Sequence, residues 1–139
     1  MRQFTAVERK ATVGDAAVLV LLTVAGFATH LTLDAFWRMV VTVGGSLVAW
    51  FVVGPFLGVF RERNILNPKK LWRVGLAWAI AAPLATFLRG LVLARDIPPV
   101  FVVVVILVNG FALVAWRLYL GWRSTKRRQA DSTSIKSPR

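Results

Sequence analysis

Along the chain, apolar positions gather into four long runs separated by short polar breaks: Thr12 to Leu33, Trp37 to Phe60, Trp72 to Ala94 and Pro98 to Trp122. Each run matches or exceeds the roughly 20 residues that a helix rising about 1.5 Å per residue needs to cross about 30 Å of hydrocarbon. The pattern predicts an all-α integral membrane bundle of four transmembrane helices over about 12–33, 37–60, 68–94 and 98–122. A basic N-terminus, 1–11, precedes it and a basic disordered tail, 123–139, follows. The third helix is expected to begin ahead of its apolar run because Asn67-Pro68 supplies a cap and a residue suited to the first helical position. Asp34 and Asp96 are placed to cap the second and fourth. The turns 34–36 and 95–97 are so short that the helices they join must be antiparallel neighbours, which makes the topology up-down.

Charge adds orientation. Of the 18 Lys and Arg, three precede the first run, five belong to the central loop and its edge (Arg61, Arg63, Lys69, Lys70 and Arg73), and six follow the fourth; the opposite side holds only Arg38 and Arg95, with Arg89 and Arg117 inside spans. The positive-inside rule then puts both termini and the central loop in the cytoplasm, giving a multi-pass protein of the cytoplasmic (cell) membrane. Trp37 on one side and Trp72, Tyr119 and Trp122 on the other fall where amphipathic rings favour the interface. The net charge of +12 flanks the spans instead of forming a face with stacking aromatics, so nucleic acid is not an expected partner. The expected partners are the lipid bilayer and anionic lipid headgroups at the cytoplasmic face. The basic N-terminus followed by the apolar run Ala16 to Phe27 shares the layout of a secretory signal. The run continues to Leu33, longer than a usual signal core, which favours an uncleaved first span.

Composition narrows the chemistry. With 57% hydrophobic residues in 139, the spans leave no room for a separate soluble domain. Cysteine is absent and a single His accompanies six acids, so neither a metal site nor a cofactor is expected. No nucleophile-base set, close acid pair or phosphate-cradling loop stands out, and enzyme activity is not expected.

Small residues predict the packing. Gly54 and Gly58 form a G-x-x-x-G pair, Gly45 and Ala49 extend that surface, and Ala77, Ala81 and Ala85 repeat at helical spacing on the third span. Such surfaces associate by close backbone approach, which predicts contact between the second and third helices; the same motif is open to a homo-oligomer. Pro55 and Pro83 fall inside spans and are expected to kink them.

The polar residues expected at membrane depth are Asp15, His30, Arg89, Asn109 and Arg117. Each ionisable one costs roughly 2.5–3.5 kcal/mol to insert and so needs a partner or a route to the interface. Asp15 and Arg117 lie at comparable depths near the cytoplasmic end, which suits an ion pair. Thr12-Val13-Gly14-Asp15 equally fits a capping box, with Thr5 and Glu8 offering a competing helix start. Both roles are open to Asp15. Arg89 and Arg117 can also snorkel to their nearer interface, and Asp34 and Asp96 are the acids nearest Arg89. His30 belongs to the outer end of the first helix.

Gly14-Asp15 opening the first helix, His30 closing it, Gly54-Pro55-Phe56-Leu57, Leu88-Arg89, Pro99 with Phe101-Val102, and Trp116-Arg117 together give a resemblance running from Gly14 to Trp122. On these residues the chain resembles a family of small four-helix prokaryotic integral membrane proteins classed as a domain of unknown function. That family usually carries a basic residue just before the His, where this chain has Phe27-Ala28-Thr29. The resemblance implies the four-helix fold and no particular activity. Two functions are in view: a non-enzymatic structural or accessory membrane component, or a small transporter or channel using a polar seam between the helices.

Overall fold

The computed structural model describes residues 5–28, 35–65, 67–94 and 98–135. In chain order these form α1 (Ala6–Ala28), α2 (Ala35–Phe56), a one-turn helix α3 (Glu62–Ile65), a 3-10 turn (Pro68–Lys70), α4 (Trp72–Leu93) and α5 (Pro99–Ile135). Four of these segments are long and apolar enough to cross a membrane, and no strand occurs among the described residues. The chain is an all-α, multi-pass membrane protein. His30, Asp34, Arg95 and Asp96 lie outside the described residues.

α1 begins ahead of Thr12 because Thr5 and Glu8 make a reciprocal capping box: Thr5 N donates to Glu8 Oε2 (3.1 Å) and Glu8 N to Thr5 Oγ1 (3.2 Å). The apolar run starts at Thr12, but a helix starts where its first N–H groups find acceptors. Thr12 Oγ1 instead donates back to Glu8 O at 2.8 Å, which leaves Asp15 in the helix interior with no capping duty.

α2 ends at Phe56 instead of Phe60. Gly58 N donates to Pro55 O and Val59 N to Gly54 O, both at 3.0 Å, and Gly58 has φ +64°. These two bonds and the left-handed residue are a Schellman stop. One expectation is thereby corrected: Gly58 is a turn residue and not half of a helix-packing pair. Pro55 lies inside α2, in its last turn. Gly54 is covered by a neighbour in the same turn, since a Cβ there would meet Phe60 Cε2 at 2.6 Å. Gly58→Ala is expected to lower stability by about 1–2 kcal/mol, the cost of a Cβ in left-handed backbone. Detergent-solubilised thermal unfolding reads this directly, and an unchanged midpoint would show that the turn relaxes without strain.

After this stop the chain folds back on the end of the bundle, burying Val59, Asn64 and Ile65. Asn64 Nδ2 donates to Gly58 O (2.7 Å) and Lys70 Nζ to Asn64 Oδ1 (3.1 Å). Arg73 Nη1 adds a bond to Leu57 O (3.3 Å). Asn67 caps as expected, accepting from Lys69 N at 3.0 Å, although what it caps is the 3-10 turn that leads into α4.

The long helices pack in the ring order α1, α2, α4, α5, with α5 closing on α1 and the α2–α4 seam the most extensive. Small residues make that seam: Ala49, Ala77, Ala81 and Ala85 are buried, and a Cβ on Gly45 would stand 3.2 Å from Ala85 O. Lipid tails are as apolar as Leu, so close backbone approach holds the helices together while large side chains such as Leu21, Phe87, Leu107 and Phe111 stay exposed. α4 runs through Pro83 without a break. Thr86 Oγ1 turns back onto the same stretch, donating toward Ala82 O (3.0 Å) and Pro83 O (2.8 Å).

α5 continues past Trp122 to Ile135, where a disordered tail was expected from residue 123. The span supplies the helix nucleus, so the following Arg, Lys, Gln and Ala residues need only propagate it, and they are good helix formers.

Candidate functional site

The buried charges meet where α1, α2, α5 and the turn after α2 converge. Asp15 on α1 and Arg117 on α5 are 0% and 1% exposed. Arg117 Nε donates to Asp15 Oδ1 at 2.9 Å, and Nη2 donates to Oδ2, a two-pronged pairing that suits the planar guanidinium. Neighbours add one further bond to each partner. Trp50 Nε1 of α2 donates to Asp15 Oδ2 (3.2 Å), and Arg117 Nη1 donates to Val59 O (3.2 Å). The Phe60 ring lies 5.8 Å from the guanidinium carbon, completing an enclosure of π-face, carbonyl and carboxylate.

Helix register explains why these groups coincide. Gly14 precedes Asp15 and Trp116 precedes Arg117; the Trp116 indole lies where a Gly14 side chain would be, with Cζ2 at 2.1 Å from an ideal Cβ. Bare backbone on α1 therefore lets α5 come close enough for the next residue pair to bond. Snorkelling is excluded for Arg117, whose head group points into protein. The carboxylate is reached from three helices' worth of protein and from no solvent, so the arrangement acts as a clasp and not as an exposed acid.

Above the clasp the core is apolar and aromatic. Trp50 lies edge-on to Phe60 (6.0 Å, 86°) and tilted against Trp78 (6.0 Å, 59°), and Leu19, Ala81 and Leu113 are buried beside them. Trp78 Nε1 crosses to α5 and donates to Val105 O at 3.2 Å. Asn109, buried at 8% exposure, follows Val105 by one turn. Arg89 belongs to the opposite end of the bundle, where its Nε donates to Thr42 Oγ1 at 2.9 Å. The five polar residues picked out by sequence thus do not form one seam: Asp15 and Arg117 meet, Arg89 is remote, Asn109 lies between, and His30 is outside the described residues.

Three participants escaped the sequence reading: Trp50, the Val59 carbonyl and Phe60. Trp50 carried a usable signal, since an indole N–H inside an apolar run needs an acceptor. The other two depend on the chain folding back after Gly58, which no local pattern announced. Among the described residues no three His, Cys, Asp or Glu side chains gather where they would hold a metal ion.

A family model described as a protein of unknown function (DUF3054) matches residues 12–120, which takes in the clasp, the two middle spans and most of the first and last. Comparison with curated proteins found no match, and comparison with solved structures found none.

Proposed function

We propose, for a chain that belongs to the family DUF3054 of proteins of unknown function, a non-enzymatic accessory role as a rigid bundle in the cytoplasmic membrane. The observation that carries this reading is the closed state of the buried charges. Asp15 and Arg117, both buried, bond to each other, to Trp50 and to Val59 O. An ion path needs polar groups that exchange partners along its length. Here the layer beyond the clasp is Trp50, Trp78, Leu19 and Leu113, which supports scaffold over conduit.

In this reading both termini and the 57–71 loop face the cytoplasm, drawn by the cationic excess of that side. Cations stacked on interfacial rings support contact with anionic headgroups there: Arg73 on Trp72 (5.4 Å), Arg123 on Tyr119 (5.6 Å) and Lys126 on Trp122 (4.1 Å). Two measurements test the proposal. A reporter active only in the cytoplasm, fused after Arg139, is expected to be active; activity of an outward reporter at the same site would reverse the orientation. Liposomes containing the protein are expected to hold proton, sodium and potassium gradients as well as empty ones do. A leak abolished by Asp15→Asn would replace the scaffold by the transporter.

A further inference from the structure

Two arginines stand together at the end of the bundle opposite the clasp. Arg38 lies in the first turns of α2 and Arg89 in the last turns of α4, and antiparallel packing brings them to the same level. Thr42 fixes the geometry: one turn along from Arg38, its hydroxyl donates to Arg38 O (2.7 Å) and accepts from Arg89 Nε (2.9 Å). The Arg89 head group also lies over the Phe101 ring at the start of α5, 5.2 Å from its centroid. Thr42 thereby joins the helical turn that carries Arg38 to the head group of Arg89. Arg38 Nε is buried without a hydrogen-bond partner, and among the described residues no carboxylate bonds to either head group.

Two half-buried like charges repel more strongly than they would in water, since the effective dielectric there is lower. A half-buried charge, one of whose donors is without a partner among the described residues, is costly for a membrane protein to keep. An anion with several oxygens placed between the two would convert the repulsion into charge-assisted hydrogen bonds, and a planar guanidinium fork suits the oxygens of a phosphate. Depth points the same way. Trp37, adjacent to Arg38, is 61% exposed, as expected of an indole at headgroup level. We propose that Arg38 and Arg89 form a binding site for a phosphate-class oxyanion, oriented by Thr42 and Phe101 and filled by a phospholipid head group or by free phosphate.

The test uses the full-length protein in an uncharged detergent, with thermal unfolding followed in two arms. One arm titrates inorganic phosphate at an ionic strength held constant with chloride. The other compares micelles doped with phosphatidylglycerol against micelles doped with phosphatidylcholine. Stabilisation is expected in at least one arm, and which arm responds identifies the source of the anion. Arg38→Gln with Arg89→Gln is expected to weaken the apparent affinity about tenfold or more, the loss of one to two charge-assisted bonds. If that variant does not fold, Arg38→Lys and Arg89→Lys singly keep the charge and lose the fork, and each is expected to bind more weakly than wild type. No stabilisation in either arm overturns the site. So does stabilisation that survives the double Gln variant or vanishes with Arg123→Gln and Lys126→Gln, which would place the anion at the other end. Binding that appears only after Asp34→Asn with Asp96→Asn also overturns it, because those acids would then be the resident counter-charges.

Discussion

Arg117→Ala is expected to destabilise the bundle by about 3–5 kcal/mol, because it leaves Asp15 as a buried carboxylate facing only the Trp50 indole. Asp15→Ala should cost a similar amount by stranding the guanidinium against Phe60 and the Val59 carbonyl. The informative variant removes both charges at once. Asp15→Leu with Arg117→Met takes away the desolvated ions together and leaves one neutral donor and one neutral acceptor short of a partner, a deficit of about 1–3 kcal/mol each at most. The double variant is therefore expected to be more stable than either single one, measured by unfolding in one detergent. Simple addition of the two losses would mean that the groups contribute independently, contrary to their geometry.

Gly14→Ala is expected to destabilise as well, by about 1–3 kcal/mol, although the same change in an unobstructed helix interior gains about 0.5–1 kcal/mol. The sign reverses because the new methyl would occupy the space of the Trp116 ring. Pushing that ring away also drags Arg117 off Asp15, so the steric and the ionic terms are coupled. Gly44→Ala is the control: nothing lies within 4 Å of a Cβ there, and a small gain is expected. Combining Gly14→Ala with Trp116→Leu should recover part of the loss. If Gly14→Ala behaves like Gly44→Ala, the close approach of α1 and α5 is not needed for stability.

The spans were legible because hydropathy alone dictates which segments can leave water. The Asp15–Arg117 contact was half-legible: matching depth and opposite charge suggested it, and the rival capping role for Asp15 was settled only by Thr5 and Glu8 making the box earlier. Helix ends were less visible. Gly54 and Gly58 have the spacing of a packing motif, and only the backbone conformation reveals that Gly58 instead ends α2. Gly45 and Ala85, by contrast, do approach as close-packing residues should. Arg38 was counted as a loop charge that sets orientation; nothing in its neighbourhood in sequence announced Arg89, which arrives from another helix through Thr42.

The length of α5 has a mechanical consequence. From Trp122 at the interface to Ile135 the helix rises a further 20 Å or so, about two thirds of the hydrocarbon thickness itself. A rod of that reach carries its polar end, Gln129 to Ile135, beyond the basic turns that follow Trp122 without a flexible tether. Whatever grips it there gains a lever on α5, and torque on that lever is delivered to the turn of helix that carries Arg117.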